Sequence, residues 1–132
     1  MAARPYHIGR SRTGLGLFAT EVIERSALIV EYSGPRIPAK EAHARERAGR
    51  NKYIFEINSR WSIDGSGRDN MGRYANHSCR PNACSEFIRG KVMLRAMRRI
   101  RPGEEITYDY GKDYVALFFK DGCKCAKCRP DS

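Results

Sequence analysis

Between Arg73 and Ala83 the chain reads RYANHSCRPNA, setting an asparagine, a histidine, a serine and a cysteine in an unbroken row behind an arginine and a tyrosine. Buried Asn and His side chains cost free energy unless their donors and acceptors are satisfied, and a thiol beside them adds reactivity. A purely structural loop has little use for such a set, so the row is expected to hold something. Nucleophilic use of Cys79 with His77 is disfavoured, because nucleophile and base normally come from separate segments that meet in space. Taken alone, His77 reads as a satisfied core histidine.

A second group of ligand-type side chains lies in CKCAKC, where Cys123, Cys125 and Cys128 form C-x-C-x-x-C. That spacing lets three thiolates converge on one zinc ion, and a closed structural site needs a fourth ligand. Cys79 and Cys84 both qualify; Cys79 is favoured, because zinc shared with it would fold the tail over the row. Near the N-terminus, SRTGLGLFA places Gly14 and Gly16 about Leu15, which lets backbone approach a ligand, yet no phosphate-binding helix follows and a tight turn is the simpler reading. In IRPGEEITYDYG, Tyr108 and Tyr110 sit one strand period apart on one face, a spacing more often found in cores than in catalysts. Tyr32, in VEYSG, and Tyr74 complete the polar aromatic set.

These residues must be positioned by 132 residues, enough for one domain with one core. The longest apolar runs, ALIV and VALFF, are far too short to span a bilayer, and no secretory signal is visible, so the expectation is a soluble, intracellular protein with no membrane partner. Five cysteines, three of them crowded together, argue for metal and a reducing compartment rather than a disulfide framework. A formal charge of +10 favours acidic partners, whether nucleic acid, an acidic protein surface or a membrane face, without choosing among them. Arginine outnumbers lysine 18 to 7, most densely in RAMRRIR from Arg95 to Arg101.

Short β-prone runs separated by Gly, Pro and Asn dominate: LIVEYSG, KYIFEI, RWSIDG, CSEFIRGKVMLRAM and EEITYDYG. Arg89-Gly90 is expected to turn a hairpin in which Val92, Leu94 and Ala96 share one face. One helix is expected from about Pro38 to Ala48, with proline at its start, glycine just past its end and a mostly polar surface. The last dozen residues change in composition and could hardly order without a metal.

In their order along the chain, GLGLFA, EYSG, YIFEI…WSIDG, RYANHSCRPN, GEEITYDYG and CKCAKC resemble the SET-domain protein lysine methyltransferases, over nearly the whole chain. The resemblance implies a mainly β fold of several small β-sheets with short helices and a C-terminal pseudoknot that brings NHSC against YDYG. It further implies a SET domain over 1–118 and a post-SET zinc-binding tail over 119–132. Gly14, Leu15 and Gly16 look like the backbone that receives S-adenosylmethionine, although many relatives carry tryptophan in place of Leu15. Arg73, Tyr74, Asn76 and His77 match the segment that holds the rest of that co-substrate. Tyr110 matches the catalytic tyrosine, Tyr108 a position that influences how many methyl groups are added, and Tyr32 a residue of the lysine channel. Cys79, Cys123, Cys125 and Cys128 match the post-SET Zn2+ cluster.

The implied reaction is methyl transfer to lysine of a protein substrate, histone, histone-like or other, with mono- or dimethylation favoured. A neutral amine is needed, and with a model lysine pKa of roughly 10.4 an aromatic channel would help to strip its proton. The short segment around Pro38 to Asn51 reduces the usual substrate-recognition surface, so either a homodimer partner supplies it or the substrate is not a histone tail. A basic peptide would also require a local acidic groove from residues such as Glu56, Asp64 or Glu86. The location implied is nuclear in a eukaryote, cytoplasmic or nucleoid-associated in a bacterium. The rival reading is a non-enzymatic basic zinc-containing module that binds nucleic acid or protein.

Overall fold

A computed structural model describes residues 4–48 and 53–111. Within them lie ten short strands: β1 (Tyr6–Ser11), β2 (Gly14–Ala19), β3 (Leu28–Tyr32), β4 (Arg36–Pro38), β5 (Ile54–Glu56), β6 (Trp61–Asp64), β7 (Asn76–His77), β8 (Ala83–Ile88), β9 (Lys91–Ala96) and β10 (Glu105–Tyr108). One α-helix, α1 (Ala39–Arg47), follows β4, and a 3₁₀ turn (Met71–Tyr74) leads into β7. The strands form three small sheets of order β1-β2-β10-β7, β3-β9-β8 and β4-β6-β5. The mainly β class expected from the residue patterns is what is seen.

Two local expectations hold in detail. Arg89 and Gly90 both take positive φ, 49° and 83°, the left-handed pair that a two-residue hairpin turn requires, and Val92, Leu94 and Ala96 are buried along β9. Helix α1 starts after Pro38 and carries Arg45 and Arg47 in its last turn, where they complement the helix dipole. Its one buried residue, Ala42, packs with Ile37 and Ile54, so the helix lies on the surface of the β4-β6-β5 sheet.

The N-terminal segment differs from expectation. The reading of Gly14 to Gly16 as a tight turn is overturned: these residues open β2, which pairs antiparallel with β1 from Tyr6↔Ala19 to Ser11↔Gly14. The turn falls one step earlier, at Arg12 and Thr13. Neither strand shows clean alternation, and β2 also pairs on its other edge with β10, through Glu105↔Phe18 and Ile106↔Leu17.

Strand β10 is the keystone of this sheet, lying between β2 on one side and β7 on the other, parallel to the latter through Thr107↔Asn76 and Tyr108↔His77. It thereby carries the YDYG segment against NHSC, as the pseudoknot expectation required. Its alternation sends Ile106 and Tyr108 inward, where Ile106 joins Leu17, Leu94 and Ile100 in the fully buried core. Each such side chain contributes about 1.5–3 kcal/mol through burial. The boundary expected at residue 118 and the tail from 119 onward lie outside the described residues.

Candidate active site

Two parallel residue pairs make a weak ladder, and side chains strengthen it. Asn82, 4% exposed, donates from Nδ2 to the Glu105 carbonyl at 2.8 Å and accepts the Thr107 N–H on Oδ1 at 2.9 Å, so one amide grips the β10 backbone on both sides of Ile106. The Ser78 N–H donates to the Tyr108 carbonyl at 3.1 Å. His77 accepts the Tyr110 N–H on Nδ1 at 3.0 Å, which assigns the ring proton to Nε2, and Nε2 faces Cys79 Sγ at 3.3 Å. Burial pushes the His77 pKa below the ordinary imidazole range, with the nearby Asp109 carboxylate acting in the opposite sense. The imidazole is therefore a neutral, satisfied group rather than a free base.

Asn76 ties the row to the N-terminal hairpin. Its Nδ2 faces Glu105 Oε2 at 2.8 Å, the Leu15 carbonyl at 2.9 Å and Ser11 Oγ at 3.1 Å. Gly16 makes this possible: a Cβ there would lie 2.5 Å from Glu105 Oε2 and 3.1 Å from Asn76 Nδ2. The close approach that a glycine strand allows is thus used by the chain's own side chains. Leu15 turns outward and is 57% exposed, while Gly14, at φ 124°, borders open space.

Tyr110 lies just past the end of β10, and its hydroxyl donates to the Ala75 carbonyl at 2.5 Å. Its ring stands 4.8 Å from that of Tyr108 and 5.3 Å from that of His77, between centroids. Tyr108 is 5% exposed. Tyr32 is buried on β3, donates its hydroxyl to the Tyr53 carbonyl at 2.7 Å and packs its ring 5.3 Å from that of Phe55. Arg73 lays its guanidinium over the Tyr53 ring at 4.2 Å and beside that of Tyr74 at 5.3 Å, and it donates to the Ser66 carbonyl. Its buried Nε finds no partner among the described residues.

Two contributors went unseen in the sequence. Tyr53 was read only as part of a strand, and nothing local announces that Arg73 will cover it. Asn70, buried, receives the Ser33 N–H at 2.8 Å and donates to the Gly65 carbonyl at 3.0 Å, joining EYSG to IDG. A lone Asn before Met71-Gly72 gave no cue beyond its cost if left unsatisfied.

Of the residues named for an acidic groove, Glu56 is exposed at the end of β5, and the other two are paired. Asp64 is buried and paired with Arg45 of α1, and Glu86 pairs with Arg95 at 2.9 Å. In the basic block, Arg98 pairs with Glu104 at 3.2 Å and Arg99 with Glu24 at 3.5 Å, both at the surface, while Arg101 is exposed. As for metal, Cys79 is half-buried, while Cys123, Cys125 and Cys128 lie outside the described residues. Among the described residues, no three His, Cys, Asp or Glu side chains gather to hold an ion. No helix among them is long and apolar enough to cross a membrane.

Residues 14–111 match the family model of the SET domain. The chain belongs to the SET-domain family. Among its relatives, human histone-lysine N-methyltransferase 2D is 37% identical over 134 residues, covering 93% of this chain. Histone-lysine N-methyltransferase, H3 lysine-4 specific, of Schizosaccharomyces pombe is 40% identical over 114 residues, covering 79% of this chain. This SET domain spans 2% and 12% of those relatives' lengths. A structure of the Polycomb Repressive Complex 2 in an autoinhibited conformation, bound to S-adenosylmethionine, matches with a TM-score of 0.74 at 28% identity, over 90% of this chain and 16% of that one.

Proposed function

We propose that this SET domain transfers methyl groups from S-adenosylmethionine to the side-chain amine of a lysine in a protein substrate, with mono- or dimethylation favoured. The observation that carries the reading is the parallel seating of β10 on β7, which gathers Tyr108 and Tyr110 against Ala75, Asn76 and His77. The names of the relatives support the same chemistry.

The residues present fit the co-substrate. Its amino-acid portion needs an acceptor for the ammonium and a donor for the carboxylate. With its N–H groups committed to protein acceptors, Asn76 offers its amide oxygen, and the unpartnered Nε of Arg73 offers a donor. Arg73, Tyr74, Asn76 and His77, with the backbone of Gly14, Leu15 and Gly16, would hold it. When bound, S-adenosylmethionine supplies an electrophilic methyl on a sulfonium.

The chain's own part is positioning and exclusion. Tyr110, pinned on the Ala75 carbonyl, presents a hydroxyl at a fixed point beside Tyr108. Tyr32, with its own hydroxyl turned to the Tyr53 carbonyl, contributes a ring wall. Desolvation in a narrow channel disfavours a charged ammonium and so lowers the pKa of an entering lysine from its model value of roughly 10.4. His77, neutral and hydrogen-bonded on Nδ1, is not required as a base. Rate enhancement then comes from alignment and fixed dipoles.

A structural Zn2+ on Cys79, Cys123, Cys125 and Cys128 belongs to the same reading and would anchor the tail. The donor set fits, because the Nε2–H of His77 aimed at Cys79 Sγ suits a thiolate. The rival, non-enzymatic reading rests on the +10 charge; Arg95, Arg98 and Arg99 each pair with a glutamate, which lowers the net charge of the densest block, while Arg101 stays exposed.

Isothermal titration with S-adenosylmethionine, followed by incubation with histone H3 and with lysate proteins and mass spectrometry of their lysines, tests the proposal. The expected outcome is one-site binding and methyllysine, predominantly mono- and dimethylated. A folded protein that binds no S-adenosylmethionine would overturn it.

A further inference from the structure

Glu105 occupies a place that strand geometry alone does not explain. It faces away from the core on β10, yet its carboxylate is folded over Gly16 and half-buried beside Asn76. An uncharged β-branched residue would serve a strand better, and burying a carboxylate costs free energy unless its acceptors are used. Burial raises the Glu105 pKa above the ordinary carboxylate range, while the Asn76 hydrogen bond and the charge of Arg12 act against that rise.

The carboxylate has a specific thing to do. An amide side chain has an oxygen and a nitrogen of nearly equal size, so shape does not decide which way it points. Around Asn76 Nδ2 lie the Leu15 carbonyl at 2.9 Å and Glu105 Oε2 at 2.8 Å, and both accept only, provided the carboxylate is ionised. Turned over, the amide oxygen would meet two acceptors. One acceptor alone would fix one N–H and let the amide plane pivot; two acceptors, one per hydrogen, fix the plane. The Leu15 carbonyl is backbone and stays whatever the side chain. Glu105 is therefore the side chain on which the orientation depends, with Ser11 Oγ, at 3.1 Å, a longer third contact.

We infer that Glu105 is a positioning residue for the co-substrate site, holding Asn76 with its amide oxygen presented outward to a cationic ammonium. This rests on the proposed use of S-adenosylmethionine. It differs from a stabilising role because it predicts a ligand effect transmitted only through Asn76.

The test is titration of S-adenosylmethionine into wild type, Glu105→Gln, Glu105→Asp, Glu105→Ala, Asn76→Ala and the Glu105→Ala/Asn76→Ala double variant, with the ¹⁵N side-chain amide signals of Asn76 recorded without ligand. Glu105→Gln keeps an acceptor at the same reach and should bind within about threefold of wild type. Glu105→Asp withdraws the acceptor by one carbon and should, like Glu105→Ala, weaken binding about tenfold, roughly one lost oriented hydrogen bond. In the Asn76→Ala background the Glu105→Ala change should add nothing. The Asn76 side-chain amide ¹H and ¹⁵N shifts, set in wild type by the charged acceptor, should move far more in Glu105→Ala than in Glu105→Gln. Wild-type affinity in Glu105→Ala, full additivity with Asn76→Ala, or retention by Asp with loss by Gln would each overturn the assignment. If Glu105→Ala does not fold, the Gln and Asp pair decides alone. A wild type that binds no S-adenosylmethionine overturns the proposed function, and the amide signals still report whether Glu105 sets the orientation of Asn76.

Discussion

In the β8–β9 hairpin, residue pairs run without a break from Ala83↔Ala96 to Ile88↔Lys91 around a two-residue turn. In the β7–β10 crossing, two pairs join strands from distant parts of the chain. The hairpin closes a short loop, so its entropic cost is small, and alternation of Val92, Leu94 and Ala96 into the core is enough to hold it. The crossing closes a much longer loop for a much shorter ladder. The deficit is met by side chains: Asn82 on the Glu105–Thr107 backbone, His77 on the Tyr110 N–H, and Asn76 on Leu15 and Glu105. Polar residues that would be surface decoration on a hairpin are the fabric of the crossing, and two of them, Asn76 and His77, also belong to the proposed site.

The sharpest way to break this comparison is at Tyr110, where one hydroxyl is proposed to serve both duties. Tyr110→Phe is expected to lower methyl transfer by about 100-fold or more, comparable to removing a fixed dipole from other active sites, while S-adenosylmethionine affinity stays within about threefold. Single-turnover kinetics beside a binding isotherm separate the two; turnover at the wild-type rate would end the assignment. Next in size is Asn82→Ala, which leaves the Thr107 N–H and the Glu105 carbonyl without partners and should cost about 2–4 kcal/mol. Ser85→Ala, exposed on β8, should stay within about 0.5 kcal/mol. Urea melts giving equal losses for these two would remove the distinction between the ladders.

Cys79, just beyond β7, extends the crossing toward the tail. Cys79→Ser should lower zinc affinity by at least about tenfold, since even partners of metal ligands contribute that much, while Cys84→Ser should keep one zinc per chain. Metal analysis after dialysis reads both, and the opposite pattern would transfer the role to Cys84. A smaller effect is expected at Tyr108. Replacing its hydroxyl in Tyr108→Phe removes a buried polar group worth about 1–3 kcal/mol, enough to ease later methyl transfers by about ten- to a hundredfold and shift products toward di- and trimethyllysine. Intact-mass analysis of a methylated peptide showing an unchanged distribution would exclude Tyr108 from that part. The smallest change belongs to the hairpin: Arg89, at φ 49°, is strained where asparagine is at ease, so Arg89→Asn should stabilise by about 0.5 kcal/mol on thermal melting, with no effect on S-adenosylmethionine binding.

What could be read in advance follows the same division. The β8–β9 turn, its buried face and α1 were legible because each is fixed by residues within a few positions of one another. RYANHSCRPN stood out because so many hydrogen-bonding side chains in a row demand partners, but who those partners are was invisible. Asn82 meets a strand more than twenty positions away, and Asn76 meets Ser11 and Leu15 more than sixty positions away. The β1–β2 hairpin escaped because YHIGRS and GLGLFA lack alternation, and the partner on the far side of β2, β10, comes from the other end of the described chain. The pairing of the acidic residues was illegible for a related reason: a charge in a sequence carries no mark of its counter-ion, and Asp64 is taken by an arginine from the neighbouring helix.

The place of β10 between β2 and β7 has a consequence for the protein's manufacture. A ribosome delivers β1 and β2 first, and that hairpin leaves the tunnel with the outer edge of β2 unpaired and Leu17 uncovered until residues 105 to 108 arrive. Open strand edges beside apolar side chains invite pairing with other chains. A nascent chain stalled anywhere before Glu105 therefore carries an adhesive end that the finished protein conceals, and quality control would find it there.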